Sequence, residues 1–176
     1  MKSLLLLSAL LLAQQPSIPA EYSGVLSTLN RQGDFKDGVL KVNIPRNDLK
    51  VVVDGIATPT PFGFGGWIAL TKGSGMDVMM GDLVLTEDEV NPVMSALLDN
   101  GLEVTAVHNH FFFETPRIFY MHVHGHGSPA ELANKIKPAL ALIGKNPPRN
   151  ASTATGRTLD GKLDTAQLAK IIGTDG

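Results

Sequence analysis

Leu102-Glu103-Val104-Thr105-Ala106-Val107-His108-Asn109-His110 and Ile118-Phe119-Tyr120-Met121-His122-Val123-His124-Gly125-His126 read as two β-strands, and they hold all five histidines of the chain. In a strand, residues two apart face the same side. His108 and His110 therefore share one face, and His122, His124 and His126 share another. An antiparallel hairpin turning at Glu114-Thr115-Pro116-Arg117 sets His110 opposite His122 and His108 opposite His124. All these positions are even, so the five rings project from one side of the hairpin. Opposed Cβ atoms in such a pair lie about 4.5–5.5 Å apart. The odd positions, Val107, Phe111, Phe113, Phe119, Met121 and Val123, are apolar and are expected to face a core, so strand alternation separates packing from chemistry.

Outward from the hairpin, the pattern alternates between strands and helices. Gly38–Pro45 alternates apolar and polar residues, as a half-buried strand does. Leu49–Val53, closed by Asp54-Gly55, Trp67–Leu70 and Val78–Leu85 follow as strands, and Tyr22–Leu29 suits a short helix. Thr86-Glu87-Asp88-Glu89 is a capping box. It predicts a helix from Glu87 to Leu98, with Val90, Val93, Met94, Leu97 and Leu98 on its buried face. Ser128-Pro129-Ala130-Glu131 is a second capping box, with proline at the first helical position, opening a helix that runs to about Ile143. Leu163–Ile172 is short and amphipathic. The order implies an α+β fold: a mainly antiparallel sheet with two helices on one face, as a two-layer sandwich, and the histidine-bearing hairpin presented on the other.

Composition narrows the function. Lys2 followed by the apolar run Leu4–Ala13 reads as a secretory signal over residues 1–13, too short for the roughly 20 residues that span a bilayer. Residues 14–21 then form a linker, 22–145 one domain and 146–176 a loop and tail. Export makes the expected location secreted or periplasmic. With Lys2 removed, 14 basic residues face 17 acidic ones, a formal charge of −3, which argues against a nucleic-acid partner. The absence of cysteine excludes disulfides, thiolate sites and a lipid anchor, so no stable membrane attachment is expected after cleavage. Phe62-Gly63-Phe64-Gly65-Gly66-Trp67 lacks the Gly-Lys-Ser/Thr ending of a phosphate loop, and no Gly-x-Ser-x-Gly elbow supports a serine hydrolase.

His108, His110, His122, His124 and His126 are the candidate metal ligands. Imidazole sets suit a transition ion, zinc or copper foremost, over hard oxygen-seeking ions. Three readings stay open: an exported domain that sequesters or carries a metal, a metal-dependent hydrolase using a bound hydroxide, and a non-metal envelope binding domain whose histidines are structural. Tyr120 shares the histidine face and could line a site. Asp82 could bring a carboxylate near it. Glu114 reads as solvated, paired or orienting a histidine, and Asn109 as structural, bonding backbone at the strand end.

Gly81-Asp82-Leu83-Val84-Leu85-Thr86-Glu87-Asp88-Glu89-Val90-Asn91-Pro92-Val93, Thr105-Ala106-Val107-His108-Asn109-His110, Pro116-Arg117, Tyr120-Met121-His122 and, upstream, Ile44-Pro45-Arg46-Asn47-Asp48-Leu49-Lys50-Val51 resemble the LppY/LpqO family, also called DUF1259, across roughly Tyr22–Leu142. The resemblance implies an exported bacterial protein, often a lipoprotein with two copies of the domain, of unestablished function. The chain departs from that pattern in lacking the lipobox cysteine and in holding one full copy. Its tail, Leu163-Asp164-Thr165-Ala166-Gln167-Leu168-Ala169-Lys170-Ile171-Ile172-Gly173, looks like the opening of a second, which could complete a neighbouring chain and give a homo-oligomer. In the family, the position of His124 is often glutamate, while those of His108, His110, His122 and His126 usually match.

Overall fold

A computed structural model describes residues 18–145 and 164–173. The expected signal at 1–13, half of the expected linker and most of the 146–176 loop and tail lie outside the described residues. The chain runs α1 (Ala20–Leu29), β1 (Asp34–Lys36), β2 (Val39–Ile44), β3 (Val51–Val53), β4 (Ile56–Thr58), β5 (Gly66–Lys72), β6 (Asp77–Thr86), α2 (Glu87–Asp99), β7 (Glu103–His108), β8 (Glu114–Thr115), β9 (Ile118–Gly127), α3 (Pro129–Leu140) and α4 (Thr165–Ile172). Six strands form one sheet in the order β1-β2-β5-β6-β9-β7, and three form a smaller sheet, β4-β3-β8. Every pairing is antiparallel. The fold is α+β with a mainly antiparallel sheet, as the element order implied. No helix among the described residues is long and apolar enough to cross a membrane.

The main core lies on one face of the large sheet. Leu40, Val42, Ile44, Ile68, Leu70, Met79, Leu83, Leu85, Met121 and Val123 point into it, and Val25, Val93, Leu97, Leu132 and Ile136 meet them from three helices. The third helix, α1, joins the two that carry capping boxes. Glu131 closes the box of α3 as expected, accepting from the Ser128 N–H at 2.8 Å while its own N–H reaches Ser128 Oγ at 3.3 Å. Gly125 marks where this face is tightest, since a Cβ there would stand 2.5 Å from Leu102 Cδ2.

The opposite face is not bare. Two Asp-Gly turns with positive φ at both residues, Asp37-Gly38 and Asp54-Gly55, close the hairpins β1–β2 and β3–β4, because their twist matches that of the strands. The second hairpin, joined by β8, lies over one end of the large sheet. Leu49, Val51 and Phe64 pack there on Val84, Ile118 and Tyr120 as a second core, with Val53 and Phe111 beside them. The sandwich thus gains a partial third layer.

The hairpin register differs from the one expected. His108 pairs with Tyr120, Ala106 with His122 and Glu103 with His124, with an irregularity between Val104 and Ala106. Opposite His122 and His124 stand Ala106 and Glu103, in place of His110 and His108. From His108 to Ala106 the slip is four residues, an even number, so the faces survive it there, and the irregularity before Ala106 then carries the odd position Glu103 onto the histidine face. Its cause is tertiary: Glu114 and Thr115 do not turn, but pair with Val53 and Val52, and the Phe113 carbonyl accepts from the Asp54 N–H at 3.1 Å. β7 ends at His108, so the alternation stops there. Met121 and Val123 reach the main core as expected. Phe111 instead packs on the histidine side, and Phe113 is exposed.

Arg46 joins the layers. It is 1% exposed, and all five of its N–H donors are engaged. Nε and Nη2 grip Asp48 at 3.0 and 2.8 Å, Nη1 donates to the Val84 carbonyl at 2.6 Å and to Glu89 Oε2 at 2.7 Å, and Nη2 also reaches Glu89 Oε1 at 3.3 Å. Glu89 accepts in addition from the N–H groups of Thr86 and Gly144, at 2.8 and 2.6 Å. The capping-box glutamate therefore also neutralises a buried cation. Removing one partner of such a pair strands the other. Arg46→Ala is expected to cost about 3–5 kcal/mol, measured by urea unfolding, with Arg46→Lys restoring only part because it lacks the planar fork.

Hydrogen bonding from Arg46 holds the Asp48 carboxyl below its ordinary value of 3.8. A carboxylate depressed in the folded state stabilises above its unfolded pKa and loses that contribution as pH falls through the folded value. Unfolding midpoints measured from pH 6 to pH 2 should therefore fall less steeply with acid in Asp48→Asn than in the parent.

Candidate functional site

Where the small sheet ends, the histidine face opens. Tyr120 forms the boundary. It is 1% exposed, and its hydroxyl donates to the Gly63 carbonyl at 2.7 Å, tying the 59–65 turn to β9. Its ring is the floor on which two histidines stack: His110 at 3.4 Å between centroids and 13° between planes, and His108 at 5.8 Å and 12°. His110 lies beyond the end of β7, so its ring reaches the site by folding back over Tyr120 and not through strand pairing.

His108 meets His122 edge to face, with centroids 4.8 Å apart and the two Nε2 atoms 3.0 Å apart. They face each other diagonally across β7 and β9. On the other side of β9, Asp82 stands directly opposite His122, with Oδ1 3.8 Å from His122 Nε2. That oxygen is buried and has no hydrogen-bond partner, an uncommon and costly state for a carboxylate. Asp82 was singled out in the sequence as a carboxylate near the site, and the β6–β9 register puts it there.

The surroundings favour a neutral His110 ring and a protonated phenol. Burial lowers the His110 pKa, helped by the neighbouring His108 and His122 and opposed by Asp82. Burial raises the Tyr120 hydroxyl well above its ordinary value, with the charges of Glu114 and Asp82 adding to it, so it remains a donor. Glu114 is buried, not solvated. Its Oε1 accepts from the Ile118 N–H at 2.9 Å, its Oε2 has no partner, and burial raises its pKa. Asn109 is structural as expected, its Nδ2 donating to the Ile118 carbonyl at 2.5 Å.

Two neutral imidazoles facing each other through Nε2 can share one hydrogen bond or offer both lone pairs to one ion. Nitrogens on a single tetrahedral ion, bound at 2.0–2.1 Å, stand about 3.3 Å apart, near the 3.0 Å seen for His108 and His122. Among the described residues, no three His, Asp or Glu side chains already form a group able to hold an ion. Asp82 would have to close from 3.8 Å to make a third ligand.

His124 and His126 lie elsewhere. They follow His122 along β9 at about 7 and 13 Å of strand, and their rings pack edge-on against each other at 4.5 Å. His124 Nδ1 faces Glu103 Oε2 at 3.5 Å. The five histidines thus divide into a group of three at the boundary and a pair on the open face. The Gly63 carbonyl that holds Tyr120 was not foreseen, because a backbone acceptor leaves no mark in a sequence.

The chain belongs to the family described as a domain of unknown function, DUF1259, whose family model matches residues 23–142. No curated protein and no solved structure matches it.

Tyr120→Phe removes the bond to Gly63 and leaves the stacking. It should lower stability by about 1 kcal/mol in urea unfolding, and proteolysis should cut the 59–65 turn faster than in the parent.

Proposed function

We propose that this chain is an exported transition-metal-binding domain, for sequestration or carriage, whose ion is held by His108 and His122 with Asp82 closing the set. The observation that carries the reading is the convergence of the two Nε2 atoms, 3.0 Å apart, beside a buried carboxylate oxygen without a partner. A cation between them would satisfy all three groups. Zinc or copper suits two imidazoles and a carboxylate. His110, stacked over Tyr120, keeps the boundary side packed. The signal reading of residues 1–13 supports an extracytoplasmic setting, and the exposed Ile171 and Ile172 of α4 support an oligomeric contact through the tail.

A metal-dependent hydrolase is the second reading. Three protein donors would leave a four-coordinate ion one position for water, as catalytic zinc sites have.

The test is elemental analysis of the untagged chain beside His108→Ala/His122→Ala. About one zinc or divalent copper per chain in the parent, lost in the variant, is the expected result. Asp82→Asn, which replaces the anionic third ligand by a neutral amide, should weaken ion binding by more than the roughly 10–100-fold that follows loss of a group merely supporting a ligand. No metal in the parent after supplementation with zinc, copper, nickel and iron would leave a non-metal envelope domain as the account.

A further inference from the structure

A second donor set lies on the open half of the histidine face. His124 is flanked in register by Met80 on β6 and Glu103 on β7, so Met80, His124 and Glu103 make one row across three strands. Neighbouring Cβ atoms in such a row are about 4.5–5.5 Å apart. His126 follows on the same face, its ring 4.5 Å from that of His124 at 84°.

Three features set this row apart from a solvated sheet surface. The first is Met80. Its neighbour Met79 is fully buried in the main core, whereas Met80 is 57% exposed beside a histidine, on the face that carries polar side chains. A thioether there contributes little to packing, and its chemical distinction is a soft, polarisable sulfur. The second is Glu103, whose Oε2 faces Nδ1 of His124 at 3.5 Å. A carboxylate facing Nδ1 favours the tautomer with the proton on that nitrogen, which leaves Nε2 as the free lone pair, the usual arrangement behind ligand histidines. The third is that the immediate flanks carry no charge: Ala69 stands beside Met80 and Val78 beside His126, while Lys41, the next residue of the row beyond Ala69, holds its ammonium over the Trp67 ring.

We propose that His124, His126 and Met80 form a second metal site, selective for monovalent copper. Two imidazoles and a thioether are the donors a soft d10 ion prefers, and hard ions and zinc take thioethers poorly. The chain has no cysteine, so methionine sulfur is its only soft donor. The site shares no ligand with the His108/His122/Asp82 set, and its failure is therefore separable from failure of that reading.

The experiment is anaerobic titration of the full chain with a monovalent copper–acetonitrile salt against a chromophoric copper(I) chelator, with X-ray absorption of the loaded protein. Copper should bind with a sulfur scatterer in its shell. Met80→Leu, a near volume-conserving change at an exposed position, should remove the sulfur signal and weaken copper(I) by at least about tenfold. His108→Ala/His122→Ala should keep both sulfur and copper(I) affinity, and Met76→Leu, at the other exposed methionine near this end of β6, should change neither. Sulfur scattering that survives Met80→Leu, that disappears with Met76→Leu or with the His108/His122 variant, or that is absent from the loaded parent would overturn the proposal.

Discussion

The buried guanidinium of Arg46 is the constraint on which both layers of this protein rest. A cation 1% exposed is tolerable only when its donors are all met. Meeting them ties the end of β2 to the β6 backbone at Val84, to the first turn of α2 through Glu89, and to Gly144 beyond α3. Burial opposes the charge, and Asp48 and Glu89 outweigh it, so the Arg46 pKa is raised. The chain then turns at Arg46, where Leu49 N–H returns to the Arg46 carbonyl at 3.0 Å. Leu49 and Val51 leave that turn to begin the second core. One ion network thus fixes the helix ends on one face and launches the cover on the other.

The functional face follows from that cover. Had both sides of the large sheet been packed, the even positions of β9 would be apolar throughout. Had neither been, Tyr120 would have no second core to join. The small sheet reaches only as far as Ile118 and Tyr120, and beyond it the same strand carries His122, His124 and His126. The site stands at the edge of an apolar layer, where burial strengthens electrostatic interactions while solvent still has access. Asp82 and Glu114 each keep one oxygen without a partner on this side of the molecule, and both contribute to the raised Tyr120 pKa.

The strand alternation further sorts donors by kind. His108 and His122 converge beside a carboxylate at the covered end, and His124 and His126 stand beside a methionine at the open end. The first set suits a borderline ion and the second a soft one, on one face of a single sheet.

The sequence by itself determined which residues share a face. Period-two alternation within each strand places His108, His122, His124, His126 and Tyr120 on one side and Met121 and Val123 on the other, whereas His110, beyond the end of β7, joins them only through the fold. The sequence also determined the helix starts at Thr86 and Ser128, because a capping box is closed by residues three apart. Asp37-Gly38 and Asp54-Gly55 were also legible hairpin signals, although β1 and β4 beside them are too short to show a period. Only the tertiary structure decided the register, because the two-residue strand β8 is held by β3, more than 60 positions upstream, and not by any local preference. The same holds for Arg46 and Glu89, whose 43-residue separation hides the pairing. It holds too for the division of five histidines into two groups, since local alternation fixes the direction of a side chain but not its partner across the sheet.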